Sequence, residues 1–186
     1  MSTITRTRRF LASLGAVTAV AGAVVAGAPA AQAASCELPP TVEAPAKVYN
    51  GVTGVLDLPY NNEANGQWIQ VYSPNDSSAA QSWTLWGYCD GTTAIQHSSS
   101  TKVVDLETQT GYSRLQDTPG GADGLNRPAG DWMPASQKWR LTDADRGWYL
   151  IRSAATGQCL ASDGIGRATR MVPCDPAAPA QRWLLR

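Results

Sequence analysis

The sequence predicts an all-β protein built from three repeats that share one core around a pseudo-three-fold axis. The pattern Gln-x-Trp-x-Leu begins at Gln81, Gln137 and Gln181, with spacings of 56 and 44 residues and an Ala or Ser before each Gln. Alternating apolar and polar stretches such as residues 68–72 lie between turn clusters of Gly, Asn, Asp and Pro, as is typical of short strands. No sustained helical period follows residue 33.

The first 33 residues have the composition of a secretory signal peptide. Three arginines among the first nine residues precede an apolar run at 10–25, and residues 31–33 form a small-x-small cleavage site. A membrane helix is the less favoured alternative, because glycines interrupt a run that is shorter than the ~20 strongly apolar residues a span needs. A lipoprotein signal ending at Cys36 is a weaker alternative. Paired arginines leave the choice between Sec and twin-arginine export open.

Removal of the signal leaves 153 of the 186 residues, with 12 basic and 15 acidic side chains. The exported protein is therefore slightly acidic and is expected to be extracellular. Nucleic acid is not a predicted partner, since phosphate binding requires a surplus of basic side chains. No membrane span is predicted either, because no second apolar segment follows the signal.

All four cysteines remain after cleavage, at Cys36, Cys89, Cys159 and Cys174. In an oxidising compartment two disulfide bonds are the default, and four cysteines allow three pairings. Metal ligation is the alternative, but the sequence has no Cys-x-x-Cys and His97 is its only histidine. No metal and no cofactor are therefore predicted.

The exported chain divides into an arm and three units. Residues 34–47 form a Pro-rich N-terminal arm, which is expected to be extended. The units span about residues 48–85, 86–141 and 142–186, each with a strand-like segment upstream of its Gln-x-Trp, at residues 55–58, 103–106 and 159–162. The second unit is longer because residues 117–134, rich in Gly, Pro and Asp, read as an inserted surface loop that carries Trp132.

The triple Gln-x-Trp pattern resembles the ricin B-type lectin family, and the chain looks like a bacterial, secreted, single-domain member of it. The resemblance covers residues 48–186 and implies a β-trefoil with three pseudo-symmetric repeats. It also implies that Trp83, Trp139 and Trp183 are structural core residues, and that the Gln of each motif helps to hold its repeat together.

The resemblance extends to the cysteines of the last repeat. Cys159 and Cys174 have the spacing of the family's disulfide bond, which leaves Cys36 and Cys89 as the second pair. The first two repeats have no equivalent cysteines. A Cys36–Cys89 bond would instead tie the arm to the start of the second unit.

Sugar recognition requires polar groups for vicinal hydroxyls beside an aromatic face for the C–H side of the ring. The first repeat matches the family pattern best, at Asp57, Gln70, Tyr72 and Gln81. It departs from the pattern at Ala80, where many family sites have an Asn that binds a hydroxyl. Asn75 or Asp76 would have to substitute for it from the adjacent loop.

The second repeat matches this pattern less completely. It keeps Asp105 and Gln137 but has Gln116 at the position of the stacking aromatic residue. Trp132 or Tyr112 would have to supply the missing ring. For the aspartates of both repeats, a turn-capping role is the alternative to sugar binding.

The third repeat has Ala161 and Val172 at the two key positions, so no sugar site is expected there. Catalysis is not predicted. His97 lies in a polar Gln-His-Ser-Ser-Ser turn, is expected to be solvated, and has no nucleophile motif beside it. Carboxylates for a glycosidase pair are present, but sequence alone does not bring any two together.

The favoured interpretation is a secreted lectin that recognises terminal sugars or glycan chains, mainly through the first repeat. The alternative is a protein-interaction trefoil, a subunit or adaptor of a larger extracellular complex or toxin with degenerate sugar sites. The incomplete second and third sites, the arm and the insertion favour that alternative, in which the arm would contact a secreted protein partner.

Overall fold

The computed structural model describes residues 42–52, 54–121, 125 and 132–186. The predicted signal peptide, Cys36 and most of the inserted loop lie outside these residues. Within them the chain forms fourteen strands: β1 (Val42–Ala46), β2 (Val48–Asn50), β3 (Gly54–Asp57), β4 (Gln70–Tyr72), β5 (Trp83–Gly87), β6 (Thr93–His97), β7 (Val103–Glu107), β8 (Tyr112–Gln116), β9 (Trp139–Asp143), β10 (Tyr149–Ser153), β11 (Cys159–Ala161), β12 (Arg167–Ala168), β13 (Arg170–Val172) and β14 (Arg182–Leu185).

A closed barrel of six strands forms the body of the fold, with β1 and β2 together counting as one strand. β5 pairs with β6, β6 with β9, β9 with β10, β10 with β14, and β14 with β2. β1 and β2 act as one long strand, interrupted at Lys47, and β1 closes the ring by pairing with β5. The last part of the segment predicted as an arm is therefore a barrel strand.

The barrel has three-fold pseudo-symmetry, which its register shows directly. The Trp of each motif pairs with the first strand of its own repeat, as Trp83 with Ala46, Trp139 with Thr93 and Trp183 with Tyr149. β1 thus gives the first repeat the strand that β6 and β10 give to the others.

Three hairpins, β3–β4, β7–β8 and β11–β13, complete the repeats and meet at the pseudo-three-fold axis. There the backbone forms a cyclic set of three hydrogen bonds. The N–H of Ile69 donates to Ser113 O at 3.0 Å, that of Ser113 to Thr169 O at 3.2 Å, and that of Thr169 to Ile69 O at 2.8 Å. A barrel of six strands with a three-hairpin cap is the β-trefoil, so the predicted fold class is confirmed.

The Gln-x-Trp motifs hold the hairpins to the barrel. The Gln of each motif is the last residue of a short 3-10 turn, at Ala79–Gln81, Ala135–Gln137 and Pro179–Gln181. Each Trp is fully buried, and its indole N–H donates to a backbone carbonyl of the neighbouring hairpin strand, at Leu56 (2.9 Å), Val104 (3.1 Å) and Leu160 (3.0 Å). The rings form the centre of a core filled by Leu, Ile and Val side chains.

Cys159 and Cys174 form a disulfide bond whose Cα atoms lie 5.0 Å apart. Closing a loop of 15 residues stabilises a fold by about 3 kcal/mol in the chain-entropy account. Cys89 is also disulfide-bonded. Cys36, its predicted partner, lies outside the described residues, so that pairing stays a prediction.

The expectation that His97 is solvated is wrong. It is the last residue of β6, pairs with Trp83 of β5, and is fully buried. Its ring meets the indole edge-on at 5.2 Å between centroids, and its Nε2 lies 3.1 Å from Ala79 O. Only the serines after it form the polar turn that the sequence indicates.

Candidate functional site

An open pocket of about 790 Å³ lies beside the first hairpin and is here called the first-repeat pocket. It is lined by all five residues predicted for this repeat, Asp57, Gln70, Tyr72, Asn75 and Gln81. Asp76, the alternative to Asn75, does not line it. The trefoil hairpin therefore gathers residues that lie 24 positions apart in sequence.

Asp57 is the polar centre of the pocket. The residue is only 5% exposed, and its carboxylate accepts hydrogen bonds from Gln70 Nε2 at 2.6 Å and Gln81 Nε2 at 3.1 Å. The register of β3 with β4 places Asp57 opposite Gln70. Because an ionised carboxylate has about four acceptor sites, two of them remain for a ligand's hydroxyl groups.

Gln81 positions Asp57 and has no spare amide group of its own. Its Nε2 also donates to Ser73 O at 2.9 Å, and its Oε1 accepts the N–H of Asn75 at 2.8 Å. The Asn75 side-chain oxygen is likewise engaged, by the N–H and hydroxyl of Ser77. Asn75 therefore offers a ligand only its amide N–H groups.

Aromatic side chains form the walls of the pocket. Tyr72, the predicted stacking residue, is 48% exposed, and two further rings, Trp68 (49%) and Tyr60 (98%), line the same pocket. Sequence reasoning missed these two. The available signal was spacing, because thirteen residues separate Asp57 from Gln70, whereas nine separate the equivalent pair Asp105 and Arg114.

The additional residues of the first hairpin include a 3-10 turn at Pro59–Asn61. Tyr60 and Asn61 adopt left-handed backbone conformations there, with φ of 59° and 52°. Non-glycine residues seldom adopt this conformation, and when they do it is often where surrounding structure holds a binding site in shape. The turn thus fixes an exposed tyrosine at the rim of the pocket.

The third repeat also contributes to this pocket, which the sequence did not indicate. β12 pairs with β4, and the N–H of Gly166 donates to Val71 O at 2.7 Å, so that Gly166 lines the pocket. Gly54 of β3 leaves room for this approach, since a Cβ there would lie 2.8 Å from Ile165 Cδ1 of the third repeat and 2.4 Å from a methyl of Val71 in β4.

The second-repeat pocket is smaller, about 220 Å³, and contains Asp105 and Gln137. Gln137 Nε2 donates to Asp105 Oδ2 at 2.8 Å. Burial raises the pKa of the Asp105 carboxyl, and the hydrogen bonds from Gln137 and Ser136 only partly oppose this. Arg114, which also lines this pocket, is paired with Glu107 at 2.6 Å.

No aromatic ring lines the second-repeat pocket among the described residues. Tyr112 lines a different pocket. Trp132 packs against a separate apolar cluster that includes Tyr88, Val103 and Met133. Neither Tyr112 nor Trp132 lines this pocket, so within the described part of the second repeat no ring supplies a stacking face beside Asp105.

A proline distinguishes the Gln of the second repeat from the other two. Gln81 Oε1 and Gln181 Oε1 each accept a backbone N–H, from Asn75 at 2.8 Å and Asp175 at 2.9 Å. The equivalent residue in the second repeat is Pro119, which has no N–H. Gln137 Oε1 is accordingly buried without a hydrogen-bond partner among the described residues.

The third repeat has no carboxylate at the key position. Ala161 occupies it, and Gln181 Nε2 donates only to Pro173 O, at 3.1 Å. In the described part of the chain, no group of three or more His, Cys, Asp or Glu side chains is arranged to hold a metal ion. The same residues include no helix of sufficient length and hydropathy to cross a membrane.

The fold and the repeat geometry define the chain as a β-trefoil. Residues 135–186 match the family model described as ricin-type beta-trefoil lectin domain-like. The predicted resemblance to the ricin B-type lectins is thereby confirmed. No curated protein sequence matches the chain.

Solved structures agree with this fold. The designed three-fold symmetric protein ThreeFoil matches with a TM-score of 0.62 and 21% identity, over 76% of this chain and 96% of its own. The earthworm R-type lectin C-half in complex with GalNAc matches at 0.55 and 13% identity, over 77% and 98%. SeviL bound to asialo-GM1 saccharide matches at 0.56 and 12% identity, over 78% and 98%.

Four further matching structures are much longer proteins, of which this chain spans between 17% and 35%. Some of them are enzymes, including an exo-beta-1,3-galactanase from Clostridium thermocellum. At these identities the likeness is one of fold alone.

Proposed function

We propose that this protein is an exported lectin that binds a sugar residue of a glycan in the first-repeat pocket. The observation that carries the proposal is the buried Asp57 carboxylate, oriented by Gln70 and Gln81, in a pocket whose walls are exposed aromatic rings. The fold of the described residues and the lectin-like match of residues 135–186 support it.

The chemistry of the pocket suits a pyranose ring. Asp57 accepts hydrogen bonds from hydroxyls on one edge of the sugar, and the amide group of Gln70 lies beside it to contact the next hydroxyl. Tyr72 or Trp68 offers a flat apolar surface to the C–H face of the ring. Such a shallow site binds weakly by itself, and affinity increases when several glycans are presented together.

Binding without hydrolysis is the activity that this pocket supports. A glycosidase requires two carboxyl groups on either side of the scissile bond. Asp57 is the one carboxylate among the residues that line the first-repeat pocket. We therefore propose a non-catalytic role, and export through the basic, apolar N-terminal segment.

A glycan array with the protein that starts at residue 34 tests the function. The set of sugars should include N-acetylgalactosamine and the asialo-GM1 saccharide, the ligands of the two matching lectins. We expect Asp57→Asn to lower binding at least tenfold, because the new amide NH₂ replaces one of the two acceptor oxygens, faces the amide donor of Gln70 or Gln81, and cannot accept a hydroxyl proton. Asp105→Asn is the matched control and should leave binding within twofold.

Two results would contradict the proposal. If the folded Asp57→Asn variant still binds glycan, the sugar does not bind at Asp57 in the first-repeat pocket. The absence of glycan binding altogether, together with co-purification of a secreted protein, would favour the protein-interaction alternative.

A further inference from the structure

A second pocket, of about 580 Å³, lies over the pseudo-three-fold axis and is here called the axial pocket. Three of its lining residues, Trp68, Tyr112 and Ala168, each directly precede a member of the cyclic hydrogen-bond set at the axis. They are therefore symmetry-equivalent positions, one from each repeat. Two are aromatic and the third is small, which leaves an open space beside two rings.

The axial pocket adjoins the first-repeat pocket. Trp68 and Gly166 line both, so the indole forms a shared wall. Tyr72 belongs to one side of this wall and Tyr112 to the other. The two cavities thus form one continuous surface with an aromatic residue in each part and a third between them.

The aromatic residues of the two pockets leave between 40% and 98% of their surface exposed, so packing of the fold does not account for them. Among the described residues, six large hydrophobic side chains are exposed, and four of them line these two pockets: Tyr60, Trp68, Tyr72 and Tyr112. Tyr112 is 40% exposed and belongs to neither the main core nor its satellite clusters. Clustered exposed apolar side chains of this kind mark binding surfaces.

The polar groups of the axial pocket include one cation with free donors. Arg114 is paired with Glu107, and Asp163 is paired with Arg170. Arg167 also lines the pocket, is exposed, and its guanidinium has no hydrogen-bond or ion-pair partner among the described residues. Its five N–H donors are available to the acceptor oxygens of a ligand.

We propose that the axial pocket is a second sugar subsite, so that the protein recognises an oligosaccharide instead of a single terminal sugar. One unit occupies the first-repeat pocket at Asp57. The chain then crosses Trp68, and a further unit stacks on Tyr112 with its oxygens hydrogen-bonded to Arg167. This inference rests on the proposed function, since it assigns the direction in which a bound glycan extends.

Calorimetric titration with two probes, N-acetylgalactosamine and the asialo-GM1 saccharide, tests the subsite. We expect Tyr112→Ala and Arg167→Ala each to weaken binding of the oligosaccharide about three- to tenfold, in line with the value of one aromatic contact and of one hydrogen bond, respectively. The same variants should bind the monosaccharide within twofold of the original protein. Asp57→Asn should weaken both probes.

Two control variants separate contact from fold. Tyr112→Phe keeps the ring and should retain oligosaccharide binding, and Arg146→Ala removes a cation that is 88% exposed and lies outside both pockets. Oligosaccharide binding that depends on Asp57 but not on Tyr112 or Arg167 would overturn the axial subsite alone. Failure of both probes to bind would overturn the subsite and the proposed function for these sugars.

Discussion

The buried histidine shows how a single side chain couples the core to pH. His97 is enclosed beside Trp83, and burial lowers the pKa of its imidazole below 6.5, although the facing carboxylates of Glu63 and Asp57 act in the opposite direction. Glu63 Oε1 lies 3.4 Å from His97 Nδ1. The ring is therefore neutral in the folded protein over a range in which an unfolded chain would already be protonated.

This difference predicts a loss of stability in mild acid. As pH falls through 6.5 towards the lower pKa of the folded state, the unfolded chain takes up more protons than the folded one, so the free energy of unfolding decreases. Thermal unfolding of the wild type and of His97→Gln, followed between pH 7.5 and 5, checks this. The melting temperature of the wild type should fall further between pH 7.5 and 5 than that of the variant. An equal fall in both proteins would show that His97 does not cause the loss of stability.

The three glutamines of the Gln-x-Trp motifs are chemically identical but have different numbers of partners. Gln81 makes three hydrogen bonds, to Asp57, Ser73 O and the N–H of Asn75. Within the described part of the chain Gln137 makes two, to Asp105 and Asp117 O, because Pro119 cannot donate to its oxygen.

This inequality predicts unequal mutational costs. Gln81→Ala should destabilise the protein by about 1 kcal/mol more than Gln137→Ala, the value of one net hydrogen bond, because no described residue pairs with the amide oxygen of Gln137. Chemical denaturation of the two variants provides the comparison, with each repeat serving as the control for the other. Equal losses would mean that the orphaned oxygen finds a partner in solution.

At the scale of the element, the hairpin of the first repeat differs from its two counterparts in length and in neighbours. Its longer loop carries Tyr60 and Trp68, and β12 from the third repeat pairs with its second strand. Gly54 leaves room for that packing, because a Cβ there would collide with Val71 of β4 and with Ile165, two residues before β12. The longer loop of this hairpin and its pairing with β12 therefore form the pocket that the other two hairpins do not have in this size.

Much of this hairpin and its motif could be predicted from the sequence. The buried indole N–H of a Gln-x-Trp motif requires a backbone carbonyl, which here is that of Leu56. The two-residue period of the strands places Asp57 opposite Gln70. The contribution of Gly166 could not be predicted, since it depends on pairing between repeats that lie far apart in sequence. The burial of His97 is not evident from the sequence because the serines after it are polar, whereas the alternation of side chains along β6 turns His97 towards Trp83.

At the scale of the whole molecule, the barrel is closed by a segment outside the recognisable repeats. β1 pairs with β5, and on the other edge Lys47 exchanges backbone hydrogen bonds with Arg186, at 2.5 and 3.0 Å. Prolines at 39, 40 and 45 indicate an extended arm, but they do not reveal that its end completes a sheet. Both ends of the trefoil domain are thereby held at the same seam.

Closure by β1 predicts that the end of the arm is structural. A chain starting at residue 47 should unfold more easily than one starting at residue 42, by about 2 kcal/mol or more, since several ladder hydrogen bonds are lost. Both chains should carry Cys89→Ser, so that the loss of Cys36 affects them equally. Urea denaturation measures the difference, and gel filtration should show self-association of the shorter chain, because an unpaired edge of β5 is open to strand addition. Identical midpoints and monomeric behaviour of both chains would show that the ring closes without β1 and that the arm is available for another role.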